Sequence, residues 1–293
     1  MNILKLLADL AATTPAHFEQ TSPRRAALGE LGRFGAKTLA AALPLGLSAV
    51  TAQAGTTTTR TALDSLQLAL RIEQLQNALY VRALAAPATF FPTDASFQSS
   101  VVKMQAHQQQ HATLLTRLIT ASNGTVPAPA TYDFTGSKNN TQAALFPNVL
   151  TDFNQFLQLA QLLEDTGVRA YKAMTEFLSA DDYVLQTALQ LHSTEARHAA
   201  RIRVMRRQRG AVVEAWPSPT DSSITVAGKT DVVYATENAT TQLVFLNANY
   251  MAVPFRLLPI GSGANLLTES VPEAFDEPLT ADAVEGLLDQ FTY

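Results

Sequence analysis

Two glutamates occupy matching positions in two similar segments of the sequence, and each is followed seven residues later by a tyrosine. The pairs are Glu73 with Tyr80 and Glu164 with Tyr171. Apolar residues at helical spacing around both glutamates place them on the buried face of a helix. A carboxylate on such a face costs roughly several kcal/mol unless it is paired or bound to a metal. The repeat therefore predicts a shared polar site inside the protein.

Each glutamate is followed by a further helical segment with an inward-facing histidine. The first reads Gln-x-x-His at Gln108 and His111, and the second reads Glu-x-x-His at Glu195 and His198. Side chains three residues apart lie side by side on a helix. Carboxylate and imidazole ligands together suit iron or manganese. A glutamate followed by Glu-x-x-His, twice over, is the ligand pattern of a two-metal carboxylate site in a four-helix bundle.

Gln108 departs from that pattern and leaves two interpretations open. A neutral amide is a weaker ligand than a carboxylate and cannot balance the charge of a cation. It could instead hydrogen-bond to Glu73 or Glu195 and keep a degenerate site satisfied without metal. His107 is one turn before His111, so it could supply a substitute nitrogen or lie at the rim of the bundle.

Three further residues near these positions could contribute to the site. Tyr80 and Tyr171 could hydrogen-bond across it as secondary partners or donate single electrons, although buried tyrosines more often pack with a bonded hydroxyl. Gly167 lies one turn after Glu164. A glycine within a helix costs about 1 kcal/mol relative to alanine. It could leave room for a substrate or for a tilted tyrosine.

The elements that carry these residues are predicted as four long helices. Helical periodicity and capping signals place them at 61–86, 93–122, 149–178 and 181–209. The segment 124–147 contains three prolines and two glycines without a sustained period, and is predicted as a long connection. Two helical hairpins joined by such a connection indicate an all-α fold, a four-helix bundle with one long crossover.

The sequence divides into three parts around this bundle. Residues 1–54 hold the pair Arg24-Arg25, an apolar stretch and an Ala-x-Ala site ending at Ala54. This order predicts a twin-arginine (Tat) export signal cleaved near Ala54, with delivery to the periplasm or cell envelope. A retained N-terminal helix is the alternative. The apolar stretch is too short and too interrupted to span a membrane.

The bundle is assigned to residues 55–210, and a C-terminal extension of short elements packed on it to residues 211–293. Within the extension, the sequence predicts a strand at 223–227, a short helix around 236–250, and a capped helix after Thr280. These elements are too short to form a separate core, so we expect them to pack on the bundle.

Composition excludes several classes of function. A net charge of −4 gives no electrostatic footprint for nucleic acid. The absence of cysteine excludes thiolate metal sites, disulfides and a cysteine nucleophile. Four arginines cluster at the end of the fourth helix, where we interpret them as charges that favour the helix dipole: Arg203, Arg206, Arg207 and Arg209. Assembly into a homo-oligomer stays open.

The chain resembles the ferritin-like domain family of exported bacterial proteins, some of which are described as desiccation-related. The resemblance rests on the Arg24-Arg25 pair, the paired Glu/His helices, and the tail Ala-Phe-Asp-Glu-Pro-Leu-Thr at 274–280. Rubrerythrin and bacterioferritin show the same Glu and Glu-x-x-His pattern. The resemblance implies a metal ligand set, with Gln108 at a degenerate position: Glu73, His111, Glu164, Glu195 and His198.

By the same resemblance, the protein is expected to bind one or two iron or manganese ions. Its function would be related to oxidative stress or iron, and any activity would be that of a ferroxidase or peroxidase-type oxidoreductase. The alternative is a non-catalytic structural or stress protein that kept the bundle and has a degenerate metal site.

Overall fold

The structure is a computed structural model. It describes residues 60–237, residue 239, the backbone of 241–246 and 249–254, and residues 276–293. The predicted export signal and its cleavage site near Ala54 lie outside the described residues. No helix in the described part of the chain is both long enough and apolar enough to cross a membrane.

Four long helices form the bundle, as predicted from the sequence. They are α1 (Ala62–Leu84), α2 (Ala95–Ala121), α3 (Phe153–Leu178) and α4 (Asp182–Gln208). Helix α1 packs against α2, α3 packs against α4, and α1 also packs against α3. The two hairpins therefore enclose one apolar core, and the predicted all-helical bundle with a long crossover is confirmed.

Side-chain caps set where these helices begin. Thr61 and Asp64 form a reciprocal capping box at the start of α1. Asp94, Asp152 and Asp181 accept backbone N–H groups at the starts of α2, α3 and α4. Each such cap stabilises its helix by about 1 kcal/mol. The cap at Asp152 explains why α3 begins four residues later than the predicted position 149.

The crossover between α2 and α3 is held by its own hydrogen bonds. The carboxylate of Asp133 accepts from the hydroxyls of Thr135 and Ser137 at 2.6 and 2.7 Å. Gly136 has φ of 67°, and a side chain there would approach Leu145 to 2.8 Å. The turn therefore requires glycine both for its backbone conformation and for space.

The C-terminal part differs from the sequence prediction in two places. The predicted strand at 223–227 is wrong, because Pro219–Ile224 forms a 3-10 helix. The predicted helix at 236–250 is also wrong, because β1 (Thr241–Leu246) and β2 (Asn249–Pro254) form an antiparallel hairpin. Valine, phenylalanine and threonine favour strands, and this preference outweighs the weak helical period of so short a segment.

The last helix, α5 (Ala281–Gln290), is capped by the Thr280 hydroxyl as predicted. It packs against α1 and α3.

Arg203 lies inside the protein and not at an exposed helix end. It is 1% exposed and donates to both oxygens of Asp165 at 2.7 Å and to Asp221 at 2.8 Å. The interpretation of this arginine as a charge favouring the helix dipole is therefore wrong. A buried guanidinium requires carboxylate partners, and the 3-10 helix at Pro219–Ile224 supplies one of them.

Candidate metal centre

Six of the residues singled out by the sequence converge inside the bundle, one or two from each of the four helices. They are Glu73 on α1, Gln108 and His111 on α2, Glu164 on α3, and Glu195 and His198 on α4. The three carboxylates and the amide are completely buried, and the His111 side chain is 11% exposed. The residues expected to form one site are thus brought together.

The donor atoms of these residues form two groups that share one carboxylate. In one group Glu73, His111 and Glu195 each offer an atom, and in the other Glu164, Glu195 and His198 do so. Within each group all three atoms lie within 4.8 Å of one another. Each group combines two carboxylates with one imidazole. The arrangement could hold two neighbouring cations, and Glu195 would be available to both.

The two oxygens of Glu195 have different surroundings. Its Oε1 lies 3.4 Å from Nδ1 of His111 and 3.6 Å from Nδ1 of His198. Its Oε2 accepts from Nε2 of Gln76 at 2.8 Å and from Nε2 of Gln108 at 3.2 Å. Nε2 of Gln108 also lies 3.3 Å from Oε1. Oε1 therefore faces both histidines, while Oε2 is the oxygen that both amides hold.

The two outer glutamates are held in the same way in the two halves of the site. Oε2 of Glu73 lies 3.2 Å from Nδ1 of His111, and its Oε1 accepts the hydroxyl of Tyr171 at 2.6 Å. In the other half, Nδ1 of His198 lies 3.2 Å from Oε2 of Glu164, and Tyr80 donates to Oε1 of that residue.

Each tyrosine thus bonds to the glutamate of the other helical hairpin. Each hydroxyl group binds the glutamate oxygen that does not face a histidine, and so fixes the orientation of that carboxylate. Hydrogen bonds across the site are one of the roles considered for Tyr80 and Tyr171.

Gln76 is a member of the site that the sequence reasoning missed. It is 1% exposed, and its Nε2 also donates to the carbonyl oxygen of Leu163 at 3.1 Å. Its Oε1 accepts from Nε2 of Gln108 at 3.0 Å. The available signal was its position three residues after Glu73, which places both side chains on one face of α1.

Gly167 provides space for the site residues themselves. A Cβ atom at this position would lie 2.8 Å from Oε2 of Glu195 and 3.0 Å from Nε2 of Gln76. The expectation that this glycine makes room for a substrate or a tilted tyrosine is therefore wrong. Without a side chain at Gly167, Glu195 and Gln76 can approach α3 closely.

Comparison with known families agrees with this geometry. A family model described as a ferritin-like domain matches residues 61–208. The chain belongs to the ferritin-like domain family. The matched residues include all four bundle helices and every residue of the candidate site. No curated protein matched the chain.

The chemistry of this ferritin-like domain fits a bound cation. Oε1 of Gln108 is buried without a hydrogen-bond partner among the described residues. An unpaired buried acceptor costs about 1–3 kcal/mol. None of the ion pairs recorded for Glu73, Glu164 or Glu195 involves a lysine or arginine of the described residues. A metal ion would supply both the missing positive charge and a partner for oxygen ligands.

The pKa values of the buried glutamates reflect the same lack of a lysine or arginine partner. Burial, together with the charge of Glu195, raises the pKa of Glu73 to about 7 and that of Glu164 to about 8. Burial alone would also raise the pKa of Glu195. Hydrogen bonds from His111 and His198 outweigh burial and hold its pKa below the ordinary value.

The two histidines take up protons in response. Burial alone would lower the pKa of both, but the hydrogen bonds and charges of the carboxylates raise it to about 9 for His111 and about 10 for His198. Protons on the imidazoles thus balance the carboxylates in the absence of metal. Metal ligands must be deprotonated, so metal binding would displace these protons.

The other two histidines of the second and fourth helices do not contact the carboxylates. Nδ1 of His107 lies 3.0 Å from Nε2 of His198. Nδ1 of His192 lies 2.9 Å from the carbonyl oxygen of Val168. The structure therefore places His107 beside the candidate ligand His198 and outside both donor groups, so it does not supply the substitute nitrogen considered for it.

Proposed function

We propose that this ferritin-like domain binds one or two iron or manganese ions through Glu73, His111, Glu164, Glu195 and His198. The observation that carries the proposal is the sharing of Glu195 by two groups of donor atoms, each within 4.8 Å. Complete burial of the three carboxylates supports it, because buried charges are retained where they pair or bind metal.

Charge indicates that a first ion and a second ion bind with different affinity. The ligand set carries three carboxylates, because Gln108 stands where the pattern has a fourth. One unit of charge about 4 Å away is worth about 4 kcal/mol at an effective dielectric constant near 20. Two divalent ions would leave a buried positive excess. We therefore infer that the first ion binds tightly and the second more weakly.

Iron or manganese held by carboxylates and imidazoles supplies a redox-active centre and a Lewis acid. The residues of the chain would keep that centre dry and oriented. Tyr80 and Tyr171 hold the outer oxygens of the glutamates, while Gln76 holds Oε2 of Glu195. For such a centre we propose a role in iron handling or oxidative stress, with a ferroxidase or peroxidase-type reaction as the activity to assay.

One observation favours the second candidate, a non-catalytic stress protein with a degenerate site. Nε2 of Gln108 lies 3.4 Å from Glu164 and 3.2 Å from Glu195, within hydrogen-bonding distance of both. These contacts, together with protonated histidines, satisfy much of the site without metal. The two candidates therefore differ in whether the folded protein gains stability from metal.

Thermal unfolding with added Mn(II) or anaerobic Fe(II) distinguishes them. A ligand that binds only the folded state raises the melting temperature, by an amount that grows with its concentration. We expect this rise for the wild type and its loss in Glu195→Gln, which removes the shared carboxylate. Glu214→Gln is the matched control, because Glu214 is half-buried, lies away from the site and pairs with Arg207. A wild type that responds no more than Glu195→Gln would support the non-catalytic candidate.

We also propose export to the periplasm or cell envelope, on the basis of Arg24 and Arg25. Replacing both by lysine should retain the protein in the cytoplasm, and mature chains should begin near Gly55. Exported protein whose N-terminal sequence starts before Phe34 would show that cleavage does not occur at the predicted site.

A further inference from the structure

The outer nitrogen of His198 has a partner outside the proposed ligand set. Nδ1 of His107 on α2 lies 3.0 Å from Nε2 of His198 on α4. The two rings are nearly coplanar and lie edge to edge, with centroids 5.2 Å apart and planes 14° apart. The other nitrogen of His198, Nδ1, lies 3.2 Å from Glu164 and 3.6 Å from Glu195. The ring thus connects the carboxylates to His107.

The direction of this hydrogen bond follows from where the proton of His198 must be. With a metal on Nδ1, the neutral imidazole carries its one proton on Nε2. Nε2 is then the donor, and Nδ1 of His107 is the acceptor. His107 then carries its own proton on its outer nitrogen.

We propose that His107 is a positioning residue that holds His198 with Nδ1 directed at the metal position formed with Glu164 and Glu195. The proposal rests on the metal-binding function proposed above. Metal-binding histidines commonly donate their second N–H to an acceptor, which fixes the tautomer and the ring orientation. For Nε2 of His111, no such partner is recorded among residues 60–237 and 276–293. The support therefore belongs to one of the two metal positions.

The hydrogen bond itself can be tested in the metal-free protein. Nitrogen–nitrogen scalar coupling across the hydrogen bond, measured by NMR on isotopically labelled full-length protein, should connect Nε2 of His198 with Nδ1 of His107. The coupling should disappear in His107→Phe. Its absence from the wild type would overturn the proposal, whatever the protein does with metal.

The effect on metal is tested by the dissociation constant for Mn(II) in three variants. His107→Phe keeps an aromatic ring but removes the acceptor, and loss of such a partner typically weakens metal binding by about 10–100-fold. His107→Asn places an amide oxygen near the position of Nδ1, so it should restore affinity toward the wild-type value. His192→Phe is the control, because His192 contacts the Val168 carbonyl and not the site.

Wild-type affinity in His107→Phe would overturn the proposal, since removal of the acceptor would then have no consequence for the metal. A wild type that shows the coupling but binds no Mn(II) would refute the proposed function, and with it the role of His107 in metal binding. The coupling thus separates a failure of the metal function from a failure of the hydrogen bond.

Discussion

Replacement of Gly167 by alanine adds a single methyl group at the place where α3 approaches the shared carboxylate. The new Cβ would lie 2.8 Å from Oε2 of Glu195 and 3.0 Å from Nε2 of Gln76. Both distances are shorter than ordinary van der Waals contact. The two side chains would therefore have to move apart from α3 by several tenths of an ångström.

Two opposing terms determine the stability of the Gly167→Ala variant. Alanine in a helix is favoured over glycine by about 1 kcal/mol. An extra methyl group in a packed interior costs about 1–3 kcal/mol. The net change in the free energy of unfolding of the metal-free protein is therefore a loss of about 0–2 kcal/mol, which leaves the bundle folded.

Metal affinity should respond more strongly than stability, because the displaced carboxylate is the one shared by both metal positions. Disturbing a group that orients a ligand typically weakens metal binding by about 10–100-fold. We expect a weakening of this size for Mn(II) in Gly167→Ala, measured by competition with a chelating indicator. Thermal unfolding of the metal-free protein reports the stability term separately.

Gly286→Ala is the matched control. Gly286 lies within α5, and a Cβ there would have no heavy atom within 4 Å. This variant should gain up to about 1 kcal/mol from helix propensity and keep wild-type metal affinity. Equal metal affinities for Gly167→Ala and the wild type would refute the inference that this glycine makes room for Glu195 in its binding position.

The remaining predictions concern one residue of the site and two outside it. Gln108→Glu should raise the melting temperature above that of the wild type when Mn(II) is added, because it adds both charge and a ligand; a fall that metal does not rescue would favour the degenerate site, in which like charges repel. Arg203→Met should lower the free energy of unfolding in urea by about 3–5 kcal/mol, because it leaves Asp165 buried without its charged partner; a change below about 1 kcal/mol would contradict this. Burial raises the pKa of Glu237 to about 7 despite the opposing charge of Arg169. In the unfolded chain this carboxyl has the ordinary, lower pKa of a glutamate. The wild type therefore loses stability as the pH rises from that lower pKa through 7. Relative to the wild type, Glu237→Gln should therefore gain up to about 3 kcal/mol between about pH 5 and pH 8 in urea titrations at both values; a pH-independent difference would refute the assignment.

The four helices could be predicted from sequence because their signals are local. Capping residues such as Thr61 and Asp181 mark the helix starts, and apolar periodicity extends over more than twenty residues in each helix. The convergence of Glu73, Glu164 and Glu195 could be predicted because the same pattern occurs in both hairpins. Local signals that repeat are therefore sufficient for the bundle and for its central carboxylates.

Contacts between the hairpins could not be predicted in this way. The bond of Tyr171 to Glu73 depends on how α1 and α3 are aligned, which no spacing within one helix determines. The same holds for the hydrogen bond of Gln76 to Glu195, and for the space beside Gly167. Gln76 also resembles an ordinary helix-forming residue in the sequence.

The C-terminal part was hard to predict for a different reason. Its strands and 3-10 helices are three to six residues long, so periodicity has too few residues to distinguish helix from strand. The partner of Arg203 in this part, Asp221, is separated from it by a segment without regular structure. Tertiary contacts decide the structure here.

The most direct test of the proposed metal site is anomalous X-ray diffraction from crystals of the full chain grown with Mn(II). The account predicts an anomalous peak inside the bundle between Glu164, Glu195 and His198, and a weaker one beside Glu73 and His111. Crystals that show manganese only at the surface, or no anomalous peak within the bundle, would contradict it.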